Sequence, residues 1–125
     1  MRPSELSYTK DHEWLRSEGD EVVVGITDYA AGELGDIVYL DLPEVGRELK
    51  AGDAAGTIET VKAVESIYAP VDGVVTAVNE ELGDHPELVN EDPFGKGWIL
   101  RMKGAAQDQT ELLDAQGYQS LLDDL

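Results

Sequence analysis

Turn residues interrupt this sequence too often for it to build long helices. From Leu6 to Lys103, short runs rich in Val, Ile, Tyr and Trp are divided by Gly, Pro, Asp and Ser. Such spacing specifies many short strands and an antiparallel sandwich or barrel. The expected strands are LSYTK (6–10), EWLR (13–16), EVVVGI (21–26), IVYLDL (37–42), VVTAV (74–78) and GWILRMK (97–103), with a short strand and turn in GRELKAGD (46–53). In IVYLDL, strict alternation would set Ile37, Tyr39 and Asp41 opposite Val38, Leu40 and Leu42. Between the strands, TDYAAGELG (27–35) reads as a short helix capped by Thr27 or Asp28 and ended by a left-handed Gly35. HPELVN (85–90) reads as one helical turn begun by Pro86. After Gly104 the pattern changes, and Leu112, Leu113, Leu121 and Leu122 suggest two short amphipathic helices broken near Gly117.

The most informative segment is GTIETVKAVESIYAP (56–70). Two β-rich arms, GTIET and VESIY, flank Val61-Lys62-Ala63, a tight hairpin with Lys62 at its apex. By position alone, a turn lysine reads as a solvated charge. A Schiff-base or general-base lysine needs burial or a neighbouring cation to shed its proton. Lys62 has Glu59 and Glu65 beside it in sequence instead, so it is not read as a catalyst. An exposed amine on a rigid tip, flanked by the modest side chains of Val61 and Ala63, suits a different use: enzymatic attachment of a prosthetic group.

Composition narrows the chemistry. The 125 residues contain no cysteine, which excludes thiol chemistry by the polypeptide itself. Any sulfur the protein uses must arrive on a cofactor. His12 and His85 have no metal-ligand spacing and read as surface residues, and no metal site is expected. There is no nucleophile elbow, phosphate-cradling loop or dinucleotide fingerprint. With 27 acidic and 9 basic residues the formal net charge is -18. That surface repels nucleic acid and anionic membranes. It serves either solubility alone or the steering of partners with basic patches. The N-terminal MRPSELSYTKDHEW has no apolar signal-peptide core, and no apolar run is long enough to span a membrane, so a cytoplasmic protein is expected.

The segment Glu59-Thr60-Val61-Lys62-Ala63 resembles the lipoylation site of the glycine cleavage H-protein family. That pattern has an acid three residues before the lysine, then a small residue, Val, the lysine and another small residue. Biotin carriers place Met on both sides of their lysine, and acyltransferase lipoyl domains place Asp before it. Val61 and Ala63 fit neither. The resemblance extends through YTKDHEWL (8–15), VGITDYAAGELGDIVYLDLPEVG (24–46), YAPVDGVVTAVNEEL (68–82), PELVNEDPFGKGWIL (86–100) and LLDAQGYQSLL (112–122).

The resemblance implies a mainly β fold, a flattened barrel-sandwich hybrid with short helices, some of them C-terminal. It implies a single domain over 1–125, with a lipoyl-binding β core at 21–103 and a helical segment at 107–125 packed on it. It implies a non-catalytic carrier with lipoate joined to Lys62 through an amide, and Glu59, Val61 and Ala63 as attachment motif. The implied partners are a pyridoxal-phosphate glycine decarboxylase, a tetrahydrofolate-dependent aminomethyltransferase, dihydrolipoyl dehydrogenase and a lipoyl-attaching enzyme, served by a monomer. In the family the loaded arm folds into a surface cleft. The matching positions here are Glu13, Asp11 and Ser66, where Ser66 replaces an aspartate found in many members and Glu65 precedes it. Three other roles are weighed against this one: a relay that passes lipoyl groups to other enzymes, a biotinyl carrier, and a structural or interaction domain that is never modified.

Overall fold

The hairpins set the architecture. In the computed structural model, which describes residues 5–104 and 112–125, short strands assemble into two antiparallel sheets. The larger contains β1 (Ser7–Tyr8), β2 (Glu13–Glu18), β3 (Glu21–Ile26), β5 (Glu48–Leu49), β8 (Gly73–Val78) and β9 (Leu100–Lys103), in the order β1-β2-β3-β9-β8-β5. The smaller has the order β4-β6-β7, from β4 (Ile37–Asp41), β6 (Ala54–Thr60) and β7 (Val64–Tyr68). Short helices α1 (Asp28–Leu34), α2 (Glu81–Asp84) and α3 (Leu88–Glu91) and a C-terminal α4 (Ala115–Asp123) complete the described fold. It is the mainly β class that the turn spacing requires. The larger sheet also takes in residues 7–18, so it extends N-terminal to the 21–103 segment.

The run Val22-Val23-Val24 is apolar at every position because the larger sheet is covered on both faces. Val22, Val24 and Ile26 join Leu15, Ile58, Ile67 and Leu100 in the core between the sheets. Val23 faces the other way, into a second cluster with Leu6, Tyr8, Trp14 and Tyr118 of α4. Gly25 is paired directly with Trp14, and a Cβ there would lie 2.6 Å from the indole ring, so only glycine lets the ring lie flat on β3.

Three local expectations change. Alternation in IVYLDL breaks at a bulge between Ile37 and Tyr39, so Ile37 and Leu40 are both buried while Val38 and Tyr39 are both exposed. The described part of the tail contains one helix and not two. Leu113 is extended, bridging Tyr8, and Gly117 lies inside α4, its N–H accepted by the capping side chain of Asp114 at 2.7 Å. A glycine in a first turn serves the cap; it does not end the helix. Residues 107–111 of the expected helical segment lie outside the described residues. His12 is also no free surface group: its Nδ1 lies 2.7 Å from the hydroxyl of fully buried Tyr118.

Candidate functional site

The β6–β7 hairpin forms where the sequence places it, with Glu59 paired to Val64 and the tip at Val61-Lys62-Ala63. Every backbone N–H of that tip is held. The Thr60 hydroxyl accepts from Lys62 N at 3.2 Å and Ala63 N at 3.0 Å, and it donates to the Ala63 carbonyl at 3.2 Å. Val61 N donates to the Asp36 carbonyl at 3.3 Å. Thr60 is 7% exposed, which keeps water from competing for those bonds. In the motif Thr60 counts only as a small residue, whereas in the fold its hydroxyl is the group that locks the turn. Lys62 itself is exposed, as are its neighbours Val61 and Ala63.

Glu59 points away from the interior. Cross-strand register puts Tyr39, Glu59 and Val64 in one row on the outer face of the smaller sheet. Tyr39 is 53% exposed, Val64 59% and Val61 72%, so the lysine is edged by apolar surface interspersed with acids.

Along the edge strand β7 lies a cleft of about 420 Å³. Its apolar lining comes from Ile26, Ala30, Leu34, Ile58 and Ile67, and its acids are Asp11, Glu13, Glu33 and Glu65, with one cation, Lys10. The structure therefore brings the three expected cleft residues, Asp11, Glu13 and Ser66, to one site. Their roles differ. Ser66 is paired with Thr57 and Glu65 with buried Ile58, so by strand alternation Glu65 and Ile67 face inward while the Ser66 side chain faces the opposite side. The acid one position earlier supplies the inward carboxylate.

Glu13 is only 3% exposed. Its Oε1 accepts from the Thr9 hydroxyl at 3.1 Å and its Oε2 from the backbone N–H of Tyr68 at 2.8 Å. Burial pushes its carboxyl up to about 8, against the smaller opposing pull of the Tyr68 hydrogen bond. Burial therefore favours the protonated form of Glu13. The Thr9 hydroxyl also accepts from the N–H groups of Asp11 and Glu13, each at 3.2 Å, and so shapes the loop that carries them.

His12 adopts a left-handed φ of 68° between these two acids, which turns its ring out of the strand direction toward α1 and α4. The ring lies 4.9 Å from Tyr29 and meets the Tyr118 hydroxyl, which also lies 2.7 Å from Thr27 Oγ1, the N-cap of α1. Desolvation lowers the His12 pKa below its usual 6.5, over the opposing influence of Asp11 and Glu33. One buried tyrosine thereby joins the C-terminal helix to both walls of the cleft. Nothing in the spacing of the sequence signals that link.

An exposed lysine on a locked tip beside an acid-rimmed apolar cleft is the arrangement that the resemblance implies. The glycine cleavage H-protein family model matches residues 6–125. The chain belongs to the glycine cleavage H-protein family. The glycine cleavage system H protein of Thermus thermophilus is 54% identical, over 97% of this chain and 95% of that protein. That of Magnetococcus marinus is 53% identical over 97% of this chain and 87% of its own length. The crystal structure of a glycine cleavage system H protein from Mycobacterium marinum superposes with a TM-score of 0.90 at 38% identity, covering 99% of this chain and 100% of that one. As an H protein the chain is a lipoyl-carrying shuttle of the glycine cleavage system, without catalytic activity of its own.

Proposed function

We propose that Lys62 carries the lipoyl group through an amide, and that the cleft between β7, α1 and the Thr9–Glu13 loop receives the loaded arm. The observation that carries this reading is the pinned tip: the hairpin fixes the backbone of Lys62 and leaves its side chain exposed beside the cleft. The bound dithiolane supplies the redox-active sulfur that a chain without cysteine lacks. The cleft fits such an arm: Ile58, Ile67 and Leu34 offer apolar surface to a hydrocarbon chain, and Glu13 and Glu65 offer acids to a cargo amine.

Glu13 is the group that answers to the charge of the cargo. Burial favours its neutral form. A cationic amine brought within hydrogen-bond distance offsets the desolvation of a carboxylate and displaces its proton. A loaded arm thus shifts Glu13 toward its charged form. Asp11 and Glu65 lie at the rim and add a field of the same sign.

The working partners on this reading are the pyridoxal-phosphate glycine decarboxylase, the aminomethyltransferase, dihydrolipoyl dehydrogenase and the lipoyl-attaching enzyme, met in the cytoplasm by a monomeric single domain. Each must approach the tip. The acidic surface steers basic partner faces, and the apolar row of Tyr39, Val61 and Val64 gives short-range adhesion beside the lysine. Peptide mass mapping of protein from its native host tests the attachment. Lipoyl mass on the Lys62 peptide is expected, and modification at Lys50, Lys96 or Lys103 instead would overturn it. Lys62→Arg should fold normally and abolish glycine cleavage in a reconstituted system, because a guanidinium does not form the amide.

A further inference from the structure

We infer that Asn90 is a positioning residue for the modification of Lys62, acting through the loop on which the hairpin tip rests. This deepens the reading of Lys62 above and rests on it. The tip does not stand free. Val61 N reaches out of its hairpin to the carbonyl of Asp36, and a Cβ at Gly35 would lie 3.6 Å from Lys62 Cε and 3.8 Å from Nζ. The backbone of Val61 and the side chain of Lys62 therefore lie against one short seat, Gly35-Asp36-Ile37, between α1 and β4.

That seat is held from below by one amide. Asn90 of α3 donates through Nδ2 to the Gly35 carbonyl at 2.8 Å, with the Ala31 carbonyl at 3.4 Å, and accepts through Oδ1 from Ile37 N at 3.1 Å. Its contacts thus fall on both sides of Asp36, the residue that holds Val61. The Gly35 carbonyl lies at the C-terminal end of α1, where carbonyls lack helical donors, while the Ala31 carbonyl already accepts from Gly35 N at 3.2 Å. Ile37 is the first residue of β4 and pairs with Thr60, whose hydroxyl locks the turn. An amide is the side chain that both donates and accepts at this separation. An aspartate would keep the acceptor and set a second carboxylate oxygen against carbonyl oxygens. Gly35 has φ 78°, so a side chain there would be strained, and its Cβ would lie in ordinary contact with the lysine.

In the modification step the unprotonated Lys62 amine attacks the carbonyl of an activated lipoyl acyl group. The N–C bond forms, the activating group leaves with the electron pair of its acyl bond, and the proton on nitrogen passes to base. Attack geometry is steep in distance, so a seat that shifts slightly lowers the rate of this step with little effect on encounter. A KM-against-kcat split separates positioning from docking.

The test uses the full chain, free lipoate, ATP and a purified lipoate-attaching ligase, below the unfolding temperature of every variant. Asn90→Asp and Asn90→Ala should each lower kcat by about tenfold with KM within about twofold, and should speed hydrogen exchange at Val61 N. The exposed Glu91→Ala should match wild type in both. An unchanged kcat, a loss confined to KM, or unaltered exchange at Val61 in a folded variant overturns the inference alone. If Asn90→Ala does not fold, the isosteric Asn90→Asp decides. A wild-type chain left unmodified at Lys62 overturns the reading of the lysine, and this inference with it.

Discussion

The Glu13 carboxyl accepts the backbone N–H of Tyr68 at 2.8 Å, which ties a buried acid of β2 to the edge of the strand leading back to the lysine tip. Glu13 is raised from 4.5 to about 8, so the folded protein holds this proton where the unfolded chain has lost it. The native state then binds more protons across that window, and the Glu13 contribution to stability falls as pH rises from about 4.5 to 8 and is flat above it. Glu13→Gln removes the titration while keeping shape and a neutral head. Urea unfolding of the two proteins should favour the variant progressively over that range, by roughly 2–4 kcal/mol at its upper end, and a pH-independent difference would refute it.

On the proposed reading of the cleft, the same titration governs retention of the cargo. Docking a cationic amine against Glu13 displaces one proton, so the docked state strengthens as pH rises toward the Glu13 pKa of about 8. Decay of the aminomethyl-loaded form should be slower in wild type than in Glu13→Gln. The ratio of the two rates should grow between pH 6 and pH 8, by up to about tenfold per unit. Equal decay rates at every pH would remove Glu13 from the cleft function.

His12 titrates in the opposite sense. Burial lowers its pKa below 6.5, so its neutral ring supports the fold above that pH and the support is lost as pH falls through 6.5 toward the folded value. Asn tolerates the left-handed φ of 68° and does not titrate. His12→Asn should cost about 1–2 kcal/mol at pH 8 through the lost Tyr118 contact, and the gap to wild type should narrow below pH 6.5. A gap that widens in acid would be the opposite result.

Thr60→Val keeps the volume of the side chain and removes the hydroxyl that accepts from Lys62 N and Ala63 N. Hydrogen exchange at those two amides should accelerate by about tenfold or more, and lipoylation by a purified ligase should slow, with circular dichroism unchanged. Exchange as slow as in wild type would show that the turn is held by its strands alone.

Partner association should separate into two components. With a net charge of -18, the association rate with the other components of the glycine cleavage system should fall as salt rises, since exposed charges are screened beyond a Debye length of ~10 Å at 0.1 M. Tyr39→Ser should raise the dissociation rate and leave the salt slope intact, because it removes apolar contact and no charge. Surface plasmon resonance over a salt series measures both. A flat association rate would assign the acidity to solubility alone.

Turn chemistry and apolar runs determined the mainly β fold, the α1 caps at Thr27 and Gly35, and the hairpin that lifts Lys62 to its tip. All of these depend on interactions between residues close in sequence, where local conformational preference decides. The likeness of Glu59-Thr60-Val61-Lys62-Ala63 to the family pattern was legible for the same reason, since those residues are contiguous. The tertiary structure decided the rest. The bulge at Ile37–Tyr39, which buries Ile37 and Leu40 and exposes Tyr39, arises from pairing with β6. The choice of Glu65 over Ser66 as the inward acid is set by register against Ile58. The raised pKa of Glu13 comes from desolvation by elements far away in the chain, and His12 owes its partner to a helix 106 residues on. Sequence states which groups the chain has. Burial, register and long-range hydrogen bonds fix their charge and direction, and those exist only once the chain has folded.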